Sequence, residues 1–107
     1  MSEWVAVTGA TGFIGRTICR LLHDEGWKLR ALVRSESRAQ ALKGCVDEWV
    51  PGDLDNRASL QKLILNARAV VHCAGAVRGA SQQAFDRVNV DGVRNIVDAI
   101  VSSVNAP

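Results

Sequence analysis

The sequence of 107 residues contains no tyrosine and only two prolines, and aromatic side chains make up 5% of it. No apolar run approaches the ~20 residues that a membrane-spanning helix needs. The first residues, Met1 to Trp4, lack the basic and apolar segments of a secretory signal. An excess of one charge is also missing, since 13 Lys and Arg face 11 Asp and Glu, for a net charge of +2. We therefore expect a cytoplasmic protein with neither membrane nor nucleic acid as a partner.

Cysteines are few and widely spaced. Cys19, Cys45 and Cys73 form no Cys-x-x-Cys pair and no Cys/His cluster, so the sequence predicts no metal site. We interpret all three as small buried apolar residues of a reducing compartment. The composition, 48% hydrophobic and 22% charged residues, is that of a globular protein, and we expect residues 1–107 to form the N-terminal part of one domain.

Strand-like and helix-like segments alternate along the whole chain. Apolar runs with β-branched residues predict strands, and apolar residues spaced by three and four, bounded by capping residues and glycines, predict helices. Strands that alternate with helices indicate a parallel sheet with right-handed crossovers. The predicted strands are 4–8, 28–33, 46–50 and 69–73, and the predicted helices begin at Phe13, at Ser35 (ending near Lys43), at Asp55 or Asn56, and before Val93.

This alternation predicts an α/β fold, a doubly wound three-layer sandwich with about four strands in the order 3-2-1-4, truncated after the fourth strand. We expect the first and last helices on one face of the sheet and the two middle helices on the other. The fourth strand would then have an exposed edge, which natural proteins usually cover, and a homodimer is the closed form expected to cover it. The residues expected to face the core are Phe13, Ile14, Thr17, Ile18, Leu21 and Leu22 in the first helix, Leu60, Leu63, Ile64 and Leu65 in the third, and Val93, Ile96, Val97, Ile100, Val101 and Val104 in the last.

The most specific motif is Thr8-Gly9-Ala10-Thr11-Gly12-Phe13-Ile14-Gly15, which follows the first strand directly and opens the first helix. In such loops the first glycine permits a tight turn, the second lets the backbone approach a pyrophosphate, and the third lets the helix pack closely. Free N–H groups at the start of the helix, aided by its dipole, bind the phosphates. The strand–turn–helix context distinguishes this loop from a glycine-rich turn without a ligand. The sequence therefore predicts a dinucleotide site.

The segment VTGATGFIG, residues 7–15, resembles the extended and atypical branches of the short-chain dehydrogenase/reductase superfamily, whose Rossmann domains carry this glycine spacing. Gly52-Asp53-Leu54, residues 71–75 (VHCAG) and residues 89–95 (NVDGVRN) resemble later motifs of the same superfamily, in the same order. The resemblance implies that Asp53 and Leu54 contact adenine, although a carboxylate at this place can also cap the following helix. The cofactor-binding residues implied by the motifs are Gly9, Thr11, Gly12, Phe13, Ile14, Gly15, Asp53, Leu54, Cys73, Ala74 and Gly75.

The end of the second strand indicates which dinucleotide binds. NAD-binding Rossmann domains place an acidic residue there, which accepts a hydrogen bond from the ribose 2′-OH. Here Val33 occupies that place, Arg34 follows, and the next carboxylate is that of Glu36. A guanidinium pairs with a 2′-phosphate through its planar fork. The sequence thus favours NADP over NAD, with Arg34 as a cofactor-binding residue; the alternative is an arginine that is merely solvated.

The sequence assigns no catalytic residue. The chemistry of the superfamily uses a Tyr-x-x-x-Lys pair beyond the fourth helix, and this chain has no tyrosine. His72 and Cys73 have no identifiable partner for acid–base or nucleophilic work. The resemblance implies that the chain is part of a longer protein, which is an NADP-dependent oxidoreductase or a nucleoside-diphosphate-sugar epimerase or dehydratase. That protein would act on a small molecule that the sequence does not identify.

Two other functions compete with an enzyme. One is a non-catalytic member of the same superfamily, which senses NADP or assists assembly, and residues beyond Pro107 would discriminate it from the enzyme. The other is a flavodoxin-like domain that binds phosphate only, against which Asp53-Leu54 and Asn89-x-x-Gly92 argue. We expect a piece of a longer chain, while a naturally short protein stays compatible with the residues.

Overall fold

A computed structural model of the chain describes residues 3–34, 42, 44–73 and 90–103. The strands are β1 (Trp4–Thr8), β2 (Lys28–Val33), β3 (Glu48–Pro51) and β4 (Ala69–His72). The helices are α1 (Phe13–Asp24), α2 (Arg57–Ile64) and α3 (Gly92–Ser102). The helix predicted from Ser35 to Lys43 lies outside the described residues apart from Leu42. None of the helices in the described ranges has the length and apolar character needed to cross a membrane.

The four strands form one parallel sheet in the order β3-β2-β1-β4, which confirms the predicted order. Within the described residues β4 pairs only with β1. β3 begins two residues later than predicted, because its regular backbone pairing with β2 starts at Glu48. Asp47, just before it, also bonds to β2, but partly through its side chain. Its side-chain Oδ2 accepts from the Leu29 N–H at 2.8 Å, while its own N–H donates to the Leu29 carbonyl at 2.9 Å.

The predicted distribution of helices over the two faces is wrong. α1 packs on one face, against a cluster that includes Val5, Val7 and Leu42, whereas α2 and α3 pack together on the other face. The physical reason is the direction of winding. From β1 through β2 to β3, each strand is added on the same side of the one before it. The connection from β3 to β4 runs across the sheet in the opposite direction, and the chain after β4 is expected to continue in that direction. Right-handed crossovers then place every helix after β3 on the same face.

The apolar stripes of α1 and α3 are also narrower than predicted. In α1, Phe13, Ile14 and Leu21 are exposed, and the fully buried positions are Gly15 and Cys19. Apolar periodicity identifies the apolar stripe of a helix but not which part of a wide stripe contacts the sheet. In α1 the small residues Gly15 and Cys19 contact it, because they let the helix come closest to the strands. In α3 Ile96 and Ala99 are buried, whereas Val93, Val97 and Val101 are exposed, and Val104 lies outside the described residues. In α2 the residues Leu60, Leu63 and Ile64 are buried as predicted, and Leu65, just after the helix, is exposed.

A buried arginine connects the sheet to the end of α2. Arg30 of β2 donates from Nη1 to the carbonyl oxygens of Leu65 at 2.6 Å and Leu63 at 3.3 Å. Its guanidinium carbon lies 4.6 Å from the centre of the Trp4 ring. Its Nε lies 3.4 Å from Glu48 Oε1, an ion pair that lacks the alignment of a hydrogen bond. Because the last carbonyls of a helix carry partial negative charge, this cation caps α2 from the neighbouring strand.

Replacing this arginine should destabilise the domain. Arg30→Met keeps an apolar stem beside Trp4 but removes the donors to the α2 carbonyls. We expect the free energy of unfolding to fall by about 1.5–3 kcal/mol, the range for hydrogen bonds to charged groups. Urea denaturation measures it. The matched control is Glu48→Gln, which removes only a half-exposed, solvent-screened partner and should cost less than about 1 kcal/mol; equal losses would contradict this assignment.

Candidate functional site

The predicted site residues of the described ranges meet at one edge of the sheet. Gly9 comes directly after β1, Arg34 directly after β2 and Cys73 directly after β4. Asp53 is the second residue after β3. The winding of the sheet reverses between β1 and β4. Open α/β sheets bind their ligands in the crevice outside the carboxyl ends of the strands, at this kind of reversal. Ala74 and Gly75, which the sequence also placed in the site, lie outside the described residues.

The loop between β1 and α1 is a tight turn against which the helix packs directly. Gly9 has a φ of +70°, a conformation that residues with a Cβ adopt only at a cost. The N–H of Gly12 donates to the Gly9 carbonyl at 3.1 Å and closes the turn. A Cβ on Gly15 would overlap the same carbonyl oxygen. The geometry thus accounts for the first and third glycines of the motif by backbone conformation and close packing.

The N-terminus of α1 offers hydrogen-bond donors. Its N-cap residue is Gly12, which is exposed and makes no side-chain capping bond, and the first turn holds no acidic residue. The Arg16 N–H makes the first intrahelical bond, to the Gly12 carbonyl at 2.9 Å. The N–H groups of Phe13, Ile14 and Gly15 precede it, so the helix supplies them with no acceptor. Together with the helix dipole they fit a phosphate group.

The segment of residues 52–54, which we name the β3 loop, is held against α2. The N–H of Gly52 donates to the Val33 carbonyl at 3.0 Å. A Cβ on Gly52, whose φ is +151°, would overlap the Ser59 side chain, and Ser59 Oγ donates to the Pro51 carbonyl at 3.1 Å. These contacts place the β3 loop beside the end of β2 and fix where it leaves the sheet.

Asp53 makes a local turn and does not cap the helix. It is exposed, and its Oδ1 accepts from the Asp55 N–H at 2.9 Å. The N-cap of α2 is Asn56, whose Oδ1 accepts from the Ser59 N–H at 3.0 Å. The sequence had left Asp55 and Asn56 open as caps and had kept capping as an alternative for Asp53. With the cap supplied by Asn56, the Asp53 carboxylate stands at the sheet edge with one oxygen engaged by a backbone donor.

The end of β2 pairs a buried apolar residue with an exposed arginine. Val33 is buried, with 7% of its surface exposed. Arg34 follows it and is exposed. An apolar side chain that points into the core therefore stands where NAD-binding domains present a carboxylate.

The end of β4 carries two groups that stay uncharged near neutral pH. His72 Nδ1 is hydrogen bonded to Thr8 Oγ1, and the Cys73 N–H donates to the Thr8 carbonyl at 3.0 Å. Burial lowers the pKa of His72 and raises the pKa of the Cys73 thiol. The protonated thiol of Cys73 is not activated as a nucleophile. The link between His72 and Thr8 was not predicted from the sequence; the parallel register of β1 and β4 places the two residues opposite each other.

The expectation that all three cysteines are buried is confirmed only for Cys19. Burial, with a smaller contribution from the charges of Cys73 and Cys45, raises the pKa of Cys19 to about 11. Cys45 and Cys73 are partly exposed. Within the residues that the structure describes, no group of His, Cys, Asp and Glu side chains could hold a metal ion.

The model of the NAD dependent epimerase/dehydratase family matches residues 5–106 of this chain. Among curated proteins, the chain is 39% identical over 95 residues to ceramide reductase of Caulobacter vibrioides (strain NA1000 / CB15N), an alignment that covers 89% of this chain and 30% of that protein. It is 32% identical over 95 residues to the photosystem II assembly factor Ycf39 of Cyanophora paradoxa, which covers 89% of this chain and 29% of that protein. The chain thus spans about three tenths of the length of these relatives.

The same fold occurs in a solved structure that contains a dinucleotide. The crystal structure of a short-chain dehydrogenase/reductase superfamily protein from Agrobacterium tumefaciens with bound NAD superposes on this chain with a TM-score of 0.76 and 27% sequence identity. The superposition covers 96% of this chain and 30% of that one. The match supports the predicted doubly wound Rossmann architecture.

The burial of His72 should make stability depend on pH. Its folded pKa lies below the 6.5 of an ordinary histidine, so below about pH 6.5 the unfolded state binds more protons than the folded state. The free energy of unfolding should therefore fall as the pH drops through this range, until the folded pKa is passed. Chemical denaturation at a series of pH values measures it.

The variant His72→Asn keeps a polar group near Thr8 but cannot titrate. We expect it to lose this part of the pH dependence, while His23→Asn, at an exposed position of α1, keeps it. A His72→Asn profile parallel to that of the unmodified protein would show that burial of His72 has no such effect.

Proposed function

The chain belongs to the NAD dependent epimerase/dehydratase family, and from this we propose that it binds a dinucleotide along the carboxyl ends of its strands, with NADP preferred over NAD. The observation on which the preference rests is the end of β2. Val33 is buried at the place of the usual acid, and the exposed Arg34 follows it. A fork of guanidinium donors matches the oxygens of a 2′-phosphate.

The pyrophosphate would be bound by the start of α1. Gly12 presents backbone without a Cβ, and the N–H groups of Phe13 and Ile14 are supplied with no acceptor by the helix itself. Thr11, in the same loop, is partly exposed and adds a hydroxyl beside these donors. The helix dipole favours a negative charge at this place.

Adenosine would lie across β2, β3 and β4. Asp53 and Leu54 of the β3 loop stand on one side, with Leu54 partly buried against the α2–α3 core. Cys73 stands at the end of β4, and the resemblance of residues 71–75 to the fourth-strand motif extends this side to Ala74 and Gly75. A carboxylate at Asp53 suits the 6-amino group of adenine, which is a hydrogen-bond donor.

We propose that the protein is an oxidoreductase or an epimerase or dehydratase that uses this cofactor on a small-molecule substrate. The likeness to a ceramide reductase supports a reductase, and the family supports either class. The bound nicotinamide would supply hydride transfer, and the residues described here would bind and orient the dinucleotide. The cytoplasmic location and the homodimer expected from the sequence remain predictions.

A non-catalytic assembly or sensing role is the second candidate, and the likeness to a photosystem II assembly factor supports it. Both candidates use the same dinucleotide site. They differ in turnover, since only an enzyme converts a substrate. A reductase would consume NADPH with a ketone, whereas an epimerase or dehydratase would convert a sugar nucleotide and regenerate its cofactor.

The preference for NADP depends on one side chain. In the intact protein, Arg34→Ala should weaken NADP binding by about 10- to 150-fold, the fold-change that matches hydrogen bonds to a charged group, and should leave NAD binding within about twofold, since NAD lacks the 2′-phosphate. Titration calorimetry measures both dissociation constants.

Two variants control for other effects. Arg20→Ala removes an exposed charge from α1 and should leave the preference intact. Gly12→Val should abolish the binding of both dinucleotides, because its side chain blocks the backbone approach to the pyrophosphate. Equal affinities of the unmodified protein for NAD and NADP would refute the proposed preference.

A further inference from the structure

We propose that the start of α3 is a positioning element for the base of the cofactor, and that Asn95 and Gly92 control recognition of adenine without touching it. The proposal rests on the dinucleotide-binding function above and deepens it. It assigns base selectivity to two residues on a helix that contributes no cofactor contact of its own.

The first observation is a hydrogen bond across the fold. Asn95 Nδ2 donates to the Leu54 carbonyl oxygen at 2.9 Å. The carbonyl of Leu54 and the N–H of Asp55 belong to one planar peptide unit. That N–H donates to Asp53 Oδ1 at 2.9 Å. A single rigid plane therefore joins the Asn95 amide to the Asp53 carboxylate.

This connection gives Asn95 control over the direction of the carboxylate. The peptide plane between Leu54 and Asp55 lies in a turn, where it can rotate when nothing bonds to its carbonyl. Asn95 holds that carbonyl, so the N–H on the opposite side of the plane stays aimed at Asp53. Hydrogen bonds in such a series polarise one another and strengthen the arrangement. One oxygen of Asp53 is thereby held, which fixes the carboxylate relative to the β3 loop.

The second observation is the close packing of Gly92 on Leu54. Gly92 is buried, and a Cβ on it would lie 2.8 Å from Leu54 Cδ1. The start of α3 thus limits where the Leu54 side chain can go. Both residues that we propose for the adenine site are therefore placed by the same turn of α3, Asp53 through a peptide plane and Leu54 by direct contact.

Base selectivity distinguishes positioning from a purely structural role. An ionised carboxylate accepts hydrogen bonds only, so a well-directed Asp53 favours adenine, whose 6-amino group donates. It disfavours hypoxanthine, which has an oxygen at that position. A contact that only stabilised the fold would weaken both dinucleotides equally and leave their ratio unchanged.

The experiment measures the dissociation constants of NADP and of its hypoxanthine analogue for the intact protein and for Asn95→Asp. The variant keeps the shape of the side chain but cannot donate to the Leu54 carbonyl. We expect the unmodified protein to prefer adenine by about tenfold, on the scale of a hydrogen bond to a charged group, and Asn95→Asp to reduce the preference to about twofold. The control is Asp98→Ala, at an exposed position of the same helix, which should keep the preference.

Gly92→Ala supplies an independent test should Asn95→Asp fold poorly. Its added methyl group meets only the flexible end of Leu54, so the protein should fold and Leu54 should be displaced. We expect the preference for adenine over hypoxanthine to fall, because Leu54 carries the carbonyl that joins Asn95 to Asp53. An unchanged preference in Gly92→Ala, or an Asn95→Asp variant that keeps the full preference for adenine, would overturn the positioning role and leave the proposed function standing. An unmodified protein that binds neither dinucleotide would overturn the proposed function, and this inference with it.

Discussion

The approach of α1 to the backbone of the loop after β1 is the constraint on which the site depends. Gly15 lies so close to the Gly9 carbonyl that no side chain fits between them. This contact brings the first turn of the helix to the carboxyl end of β1, with Gly12 at its exposed N-cap. The N–H groups that the helix leaves without acceptors therefore lie at the carboxyl end of β1, where the strand order of the sheet reverses. A negatively charged ligand bound at this place is stabilised by these donors and by the helix dipole.

The two faces of the sheet contribute different parts of the site. The α1 face provides the phosphate-binding turn. The α2–α3 face supports the β3 loop, since Ser59 of α2 fills the space beside Gly52 and Asn95 of α3 holds the Leu54 carbonyl. α2 is in turn capped by Arg30 from within the sheet. The buried Arg30 therefore supports the proposed base site indirectly, by stabilising the helix against which the β3 loop packs.

Topology rules were enough to predict the strand order, and local patterns were enough to predict the glycine loop and to narrow the cap of α2 to Asp55 or Asn56, of which the structure uses Asn56. The helix faces were assigned wrongly, although the same rule of right-handed crossovers, applied from β3 onward, gives the observed arrangement. The roles of Arg30 and Asn95 could not be predicted locally. Their acceptors are carbonyl groups on distant segments, and a lone arginine in a strand or a lone asparagine in a helix gives no sign of them.

We propose that the first-turn N–H groups of α1 bind the pyrophosphate of NADP. Amide proton–nitrogen correlation spectra of the intact protein, recorded during titration with NADP and separately with NAD, follow these groups one by one. We expect both ligands to shift the resonances of Gly12, Phe13 and Ile14, and NADP to shift Arg34 more than NAD does. Unchanged resonances at these three residues in the presence of saturating NADP would contradict it.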